Sequence, residues 1–188
     1  MRFLVLGSVN IDMTFRVDHI VRGGETLSSD GLSVSAGGKG ANQAAALGKA
    51  GMEVFFAGKM GTDGEWILDM LRSFGVDTSL SIASDIIHTG QALIQVDKSG
   101  QNCILLNAGG NKEFTRLDID TMLSHFSKGD TVILQNEIND IAYVMERASA
   151  AGLAVILNPS PFDSAISALP LHLADTLFVN EVESASLA

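Results

Sequence analysis

Short apolar runs rich in branched residues alternate along this chain with amphipathic, alanine-rich stretches. Runs of that kind suit strands buried on both faces, and the stretches between them suit the helices that cross over from one parallel strand to the next. The pattern predicts strands over 3–7, 53–57, 131–135, 154–158 and 176–179, and helices over 41–50, 64–73 and 141–151. Gly75 and Gly152 stand where helix stops belong. The fold class is therefore α/β, with a mostly parallel sheet and flanking helices.

Two regions, 13–34 and 89–106, break this alternation. In the second, apolar residues flank the turn Lys98-Ser99-Gly100-Gln101, the signature of an antiparallel hairpin. Inserted into a parallel layout, such strands make either a small separate sheet over a site or an extra edge on the main sheet.

Composition narrows the partners. With 22 acidic against 12 basic residues the formal charge is −10, which repels a phosphate backbone and offers no polybasic patch to an anionic membrane. Nucleic acid and membranes are not expected partners. No apolar run approaches the roughly 20 residues of a membrane span, and the apolar opening is too short for a signal-peptide core. One cysteine, Cys103, forms no internal disulfide, and four scattered histidines show no zinc-ligand spacing. The expected compartment is the cytoplasm.

In open α/β sheets ligands bind beyond the carboxyl ends of the strands, and here those positions are polar. The first strand leads to Asn10 and Asp12, the strand ending at Gln135 to Asn136 and Glu137, the next to Asn158, and the last to Asn180, Glu181 and Glu183. Amides and carboxylates in such numbers suit a polyol such as a sugar, although Asn and Asp also favour turns and helix caps after strands. The stretch from Ser35 to Ala44 places three glycines before a helix, which frees backbone N–H groups for an oxygen-rich ligand. It is neither a phosphate-binding Walker loop nor a dinucleotide fingerprint, because the glycine spacing fits neither.

Ala36-Gly37-Gly38-Lys39-Gly40-Ala41-Asn42-Gln43-Ala44, with Gly48, Gly51, Gly58, Gly61, Asp63 and Gly64 after it, resembles the first signature of the ribokinase, or PfkB-type, carbohydrate kinases. Gly7-Ser8-Val9-Asn10-Ile11-Asp12, Gln135-Asn136-Glu137, Asn158-Pro159 and Asn180-Glu181-Val182-Glu183 are similar to further family segments, so the likeness runs from Phe3 to the last residue.

The resemblance implies a ribokinase-like fold whose inserted strands, at about 13–34 and 89–106, form a small antiparallel lid sheet that also makes a homodimer. It implies ATP-dependent phosphorylation of ribose at the 5-hydroxyl by the parent enzyme, or of another pentose, hexose or nucleoside. Asn10, Asp12, Gly38, Lys39, Asn42 and Glu137 are implied to hold the sugar, Asn180 to touch ATP, and Glu183 to act on Mg through water. The family places its catalytic aspartate on a Gly-Ala-Gly-Asp motif, absent from these 188 residues. The expectation is a truncated chain without the nucleotide-binding half or any monovalent-cation site, inactive as a kinase. A non-catalytic sugar-binding or dimerisation remnant is the alternative.

Overall fold

The computed structural model describes residues 1–187. In chain order the elements are β1 (Phe3–Leu6), β2 (Asn10–Arg16), β3 (Gly31–Gly37), α1 (Lys39–Lys49), β4 (Val54–Ala57), β5 (Lys59–Gly61), α2 (Glu65–Ser73), β6 (Ile82–Ser84), β7 (Gly90–Val96) and β8 (Asn102–Asn107). There follow α3 (Arg116–Leu123), β9 (Thr131–Gln135), α4 (Ile141–Ala150), β10 (Ala154–Asn158), β11 (Thr176–Leu177) and α5 (Glu181–Leu187).

The main sheet has five strands, all parallel, in the order β11-β10-β9-β1-β4. β1 lies inside it, which explains its unbroken apolar run. Leu4 and Leu6 point to one face, where α3 and α4 supply Ile119, Met122, Val144 and Met145. Phe3 and Val5 point to the other, where α1 and α2 supply Ala41, Ala44, Ile67 and Leu71. Two-residue alternation on β1 is thus read by two separate cores, and every position on the strand has to be apolar. Gly75 and Gly152 take φ of 82° and 79° just beyond α2 and α4, the left-handed backbone that ends a helix.

The two inserted regions form a separate four-stranded sheet, in the order β3-β2-β7-β8. Its two hairpins are antiparallel, but they join through a parallel β2–β7 pairing that runs from Asn10↔Gly90 to Arg16↔Val96. The sheet is therefore mixed, not antiparallel throughout. It also begins earlier than the broken pattern marks, since Asn10 and Asp12 lie within β2 and not on a loop after β1.

Further differences are local. α1 begins at Lys39, two residues before the expected start, and β11 ends at Leu177 instead of Val179. α3 was not anticipated, although Thr115 and Asp118 form a reciprocal capping box at its start: the Thr115 hydroxyl accepts from Asp118 N–H at 3.1 Å and the Asp118 carboxylate from Thr115 N–H at 2.9 Å.

Candidate functional site

The site forms where the carboxyl end of β1, the start of α1 and the residues after β9 converge. Gly38 caps α1 with φ of 90°, and a Cβ there would lie 2.8 Å from the Ser8 carbonyl, so only glycine allows this entry into the helix. The turn aims the first N–H groups of α1 at fixed partners. Ala41 N–H donates to the Ser8 carbonyl at 2.9 Å, Gly40 N–H to the Ser8 hydroxyl at 3.2 Å, and Lys39 N–H to Glu137 at 3.1 Å.

Glu137 collects three donors. Beside the Lys39 N–H it accepts from the Lys39 ammonium at 2.6 Å and from the Ser8 hydroxyl. A carboxylate at a helix start, paired with a cation, is held in one orientation and stays hydrogen-bonded while partly out of water. Asp12 stands near it on β2. Burial raises the Asp12 carboxyl above its ordinary value, and the Glu137 charge raises it further. A Cβ on Gly37, paired with Asn10 across the sheet, would lie 2.1 Å from the Asp12 carboxylate, so this strand pair also depends on a bare glycine.

A cleft of about 270 Å³ opens between the two sheets, lined by Asn10, Asn107, Asn111, Lys112, Glu137 and Asp163 among others. Its amides, carboxylates and one ammonium provide paired donors and acceptors, and a lining of that kind matches a small polyhydroxylated ligand. Asn10 and Glu137 thus meet in one cleft, Lys39 binds the cleft carboxylate, and Gly38 shapes the approach. Asn42 lies exposed on the first turn of α1.

Asn180 and Glu183 sit apart from the cleft at the start of α5. The Asn180 side-chain oxygen accepts from Glu183 N–H at 2.9 Å, and the Glu183 carboxylate accepts from Asn180 N–H at 3.0 Å. The Ser160 hydroxyl donates to the other oxygen of Glu183, whose carboxyl is lowered first by that bond and then by the Asn180 N–H and the Lys39 charge. Among the described residues no group of three or more His, Cys, Asp or Glu side chains is placed to ligate a metal directly. Glu183 remains a buried, ionised carboxylate, which fits a contact made through water. The Asn180 Nδ2 is the part of its amide left for an anionic oxygen.

The structure adds three participants. Ser8 is fully buried and serves both α1 and Glu137. Lys112 lines the cleft and donates to the Ile138 carbonyl at 2.9 Å. Asn111 lies in the Gly109-Gly110-Asn111 segment, whose glycines after a strand were its only local signal.

An all-parallel sheet with helices on both faces, a second sheet across its carboxyl edge and a cleft lined by amides and carboxylates between them define an α/β domain with a candidate site. The chain belongs to the pfkB family of carbohydrate kinases, whose pattern matches residues 2–188. It is 34% identical over 192 residues to the ribokinase of Staphylococcus aureus (strain COL), covering 100% of this chain and 63% of that protein. It superposes on the crystal structure of ribokinase from Cryptococcus neoformans var. grubii serotype A in complex with ADP with a TM-score of 0.84 and 40% identity, covering 97% of this chain and 57% of that one. The ribokinase of Arabidopsis thaliana complexed with ribose and ATP gives a TM-score of 0.85 at 31% identity, over 98% and 62% of the two chains. The chain thus spans less than two thirds of the length of each of these relatives.

Proposed function

We propose that this chain carries the acceptor-sugar site of an ATP-dependent ribose kinase that works in the cytoplasm and phosphorylates the 5-hydroxyl. The observation that carries the reading is the cleft itself: Asn10 and Glu137 line it, Asp12 stands beside Glu137, and the ammonium of Lys39 sits 2.6 Å from the Glu137 carboxylate. Asn10 and Asp12 hydrogen-bond hydroxyls from the β2 side. Gly38, Lys39 and Asn42 close the α1 side, and Glu137 accepts from a further hydroxyl. The likeness to a ribokinase crystallised with ribose and ATP favours ribose over a hexose or a nucleoside.

ATP supplies the phosphoryl group. Of this chain's residues, Asn180 fits the nucleotide's edge through its Nδ2, and Glu183 fits a water-mediated contact to magnesium. The 188 residues contain no Gly-Ala-Gly-Asp motif to receive the hydroxyl proton, so the chain alone binds sugar without turning over ATP. The mixed sheet acts as a lid and as a homodimer surface. Its outward row Val34–Met13–Leu93–Leu105 is apolar, with Val34 57% and Leu105 68% exposed.

Calorimetric titration with D-ribose, with and without ATP, tests the reading. Saturable ribose binding supports it, and heats no greater than dilution from a folded chain contradict it. The second reading, a sugar-binding or dimerising remnant with no nucleotide edge, is favoured if ATP leaves ribose affinity unchanged.

A further inference from the structure

The family resemblance assigns Asn111 no role, yet its amide makes three hydrogen bonds beside the cleft. It sits in the 3-10 turn after β8 and is only 2% exposed, so its carboxamide has to find partners inside the protein. All of them lie at the junction between β1 and β2. Its oxygen accepts from Val9 N–H at 3.0 Å, and its Nδ2 donates to the Val9 carbonyl at 3.2 Å and to the Asn10 side-chain oxygen at 2.8 Å.

A carboxamide has two N–H donors and one acceptor oxygen. Both Asn111 donors are therefore committed, and the Asn10 oxygen is turned toward Asn111, away from the ligand side. The Nδ2 is the polar end of Asn10 left to face a ligand. Close packing holds the pair in place: a Cβ on Gly90, the first residue of β7, would lie 2.2 Å from the Asn10 oxygen and 2.3 Å from the Asn111 Nδ2. The two amides stack on bare backbone at the root of the second sheet.

We propose that Asn111 is a positioning residue that fixes Asn10 as a hydrogen-bond donor toward the ligand while pinning the strand junction at Val9. This rests on the sugar-site reading above. The ligand then presents a hydroxyl oxygen to Asn10 as an acceptor and donates its own O–H as a hydrogen bond to a carboxylate on the same strand face, which Asp12 supplies two residues along β2. A sugar without that hydroxyl leaves the Asn10 donor unpaired and is discriminated against.

Asn111→Asp tests this, because it keeps the size and the acceptor for Val9 N–H but replaces the Nδ2 donor with an oxygen. Asn10 must then turn its amide inward to donate, presenting oxygen to the cleft. Calorimetry with D-ribose should show roughly a tenfold loss of affinity or more for Asn111→Asp. Asn10→Ala combined with Asn111→Asp should bind no more weakly than Asn10→Ala alone. Unchanged affinity in Asn111→Asp, or losses that multiply in the double variant, overturns the proposal. A readout independent of ribose is the side-chain amide resonance pair of Asn10, which should move in Asn111→Asp while backbone signals of β9 and β10 hold. If that pair stays in place, the positioning role is refuted. If it moves in a chain whose wild type binds no ribose, the positioning role stands and the sugar reading fails.

Discussion

The ammonium of Lys39 lies 2.6 Å from a carboxylate oxygen of Glu137, joining the start of α1 to the end of β9 across 98 positions of sequence. The Glu137 side chain is 11% exposed and that of Lys39 39%, so the two are unequal partners. Removing the cation strands a nearly buried carboxylate, whereas removing the carboxylate leaves a lysine with access to water. Lys39→Met should therefore lower the unfolding free energy by about 1–3 kcal/mol, more than Glu137→Gln does, as measured by urea denaturation. Glu137→Gln should still cost roughly tenfold in ribose affinity, since an amide replaces a charged acceptor.

Asp12 adds a pH dependence to the site. Its carboxyl is raised by burial and by the Glu137 charge, and the proposed sugar site uses it as an ionised acceptor. Protonation removes that acceptor, so ribose affinity should fall on acidification, starting at a higher pH than an ordinary aspartate gives. Calorimetry from neutral pH downward checks this, and Asp12→Asn should flatten the profile at the weaker, acid-side affinity.

At the opposite end of the sheet, Asp130 accepts from the Arg2 guanidinium at 2.6 Å and from Arg2 N–H at 3.0 Å, which hold its carboxyl down to about 2. A group whose folded value is depressed stabilises the fold above its unfolded value, and that contribution is lost as pH falls through the folded value. The melting temperature should decline between about pH 4 and pH 2. Asp130→Asn should be less stable at neutral pH and should show a shallower acid slope.

Core and second sheet should respond differently to truncation. Leu6 is fully buried, and Leu6→Ala should cost about 2–5 kcal/mol. Leu105 is 68% exposed on the apolar outer row, so Leu105→Asp should leave the melting temperature nearly unchanged. In light scattering the same variant should shift the chain from dimer to monomer. A dimer that survives it contradicts the lid as the association surface.

Much of the main sheet was legible because local pattern and tertiary role coincide there. β9 and β10 fall on their expected residues, since their branched apolar runs Val132–Leu134 and Val155–Leu157 mark strands inside the sheet, and Gly75 and Gly152 mark the helix ends because the left-handed backbone favours glycine. The parallel pairing of β2 with β7 was not legible. It joins Asn10 to Gly90 with no turn between them to announce it, whereas the β7–β8 hairpin carries its own local signal in the Lys98–Gln101 turn. α3 is eight residues long and too short for a clear periodicity, although its Thr115 and Asp118 cap was visible in principle. Asn10 and Glu137 could be named from strand ends and family likeness. Asn111 could not, because a lone amide after two glycines acquires its role only when the fold sets it against Val9 and Asn10.

The most direct test of a sugar site in this cleft is titration of the isotope-labelled chain with D-ribose while backbone and side-chain amide resonances are followed. The account predicts saturable shifts concentrated at Asn10, Asp12, Gly38, Lys39, Asn111 and Glu137. A folded chain whose resonances do not move with ribose, or move only away from this cleft, would contradict it.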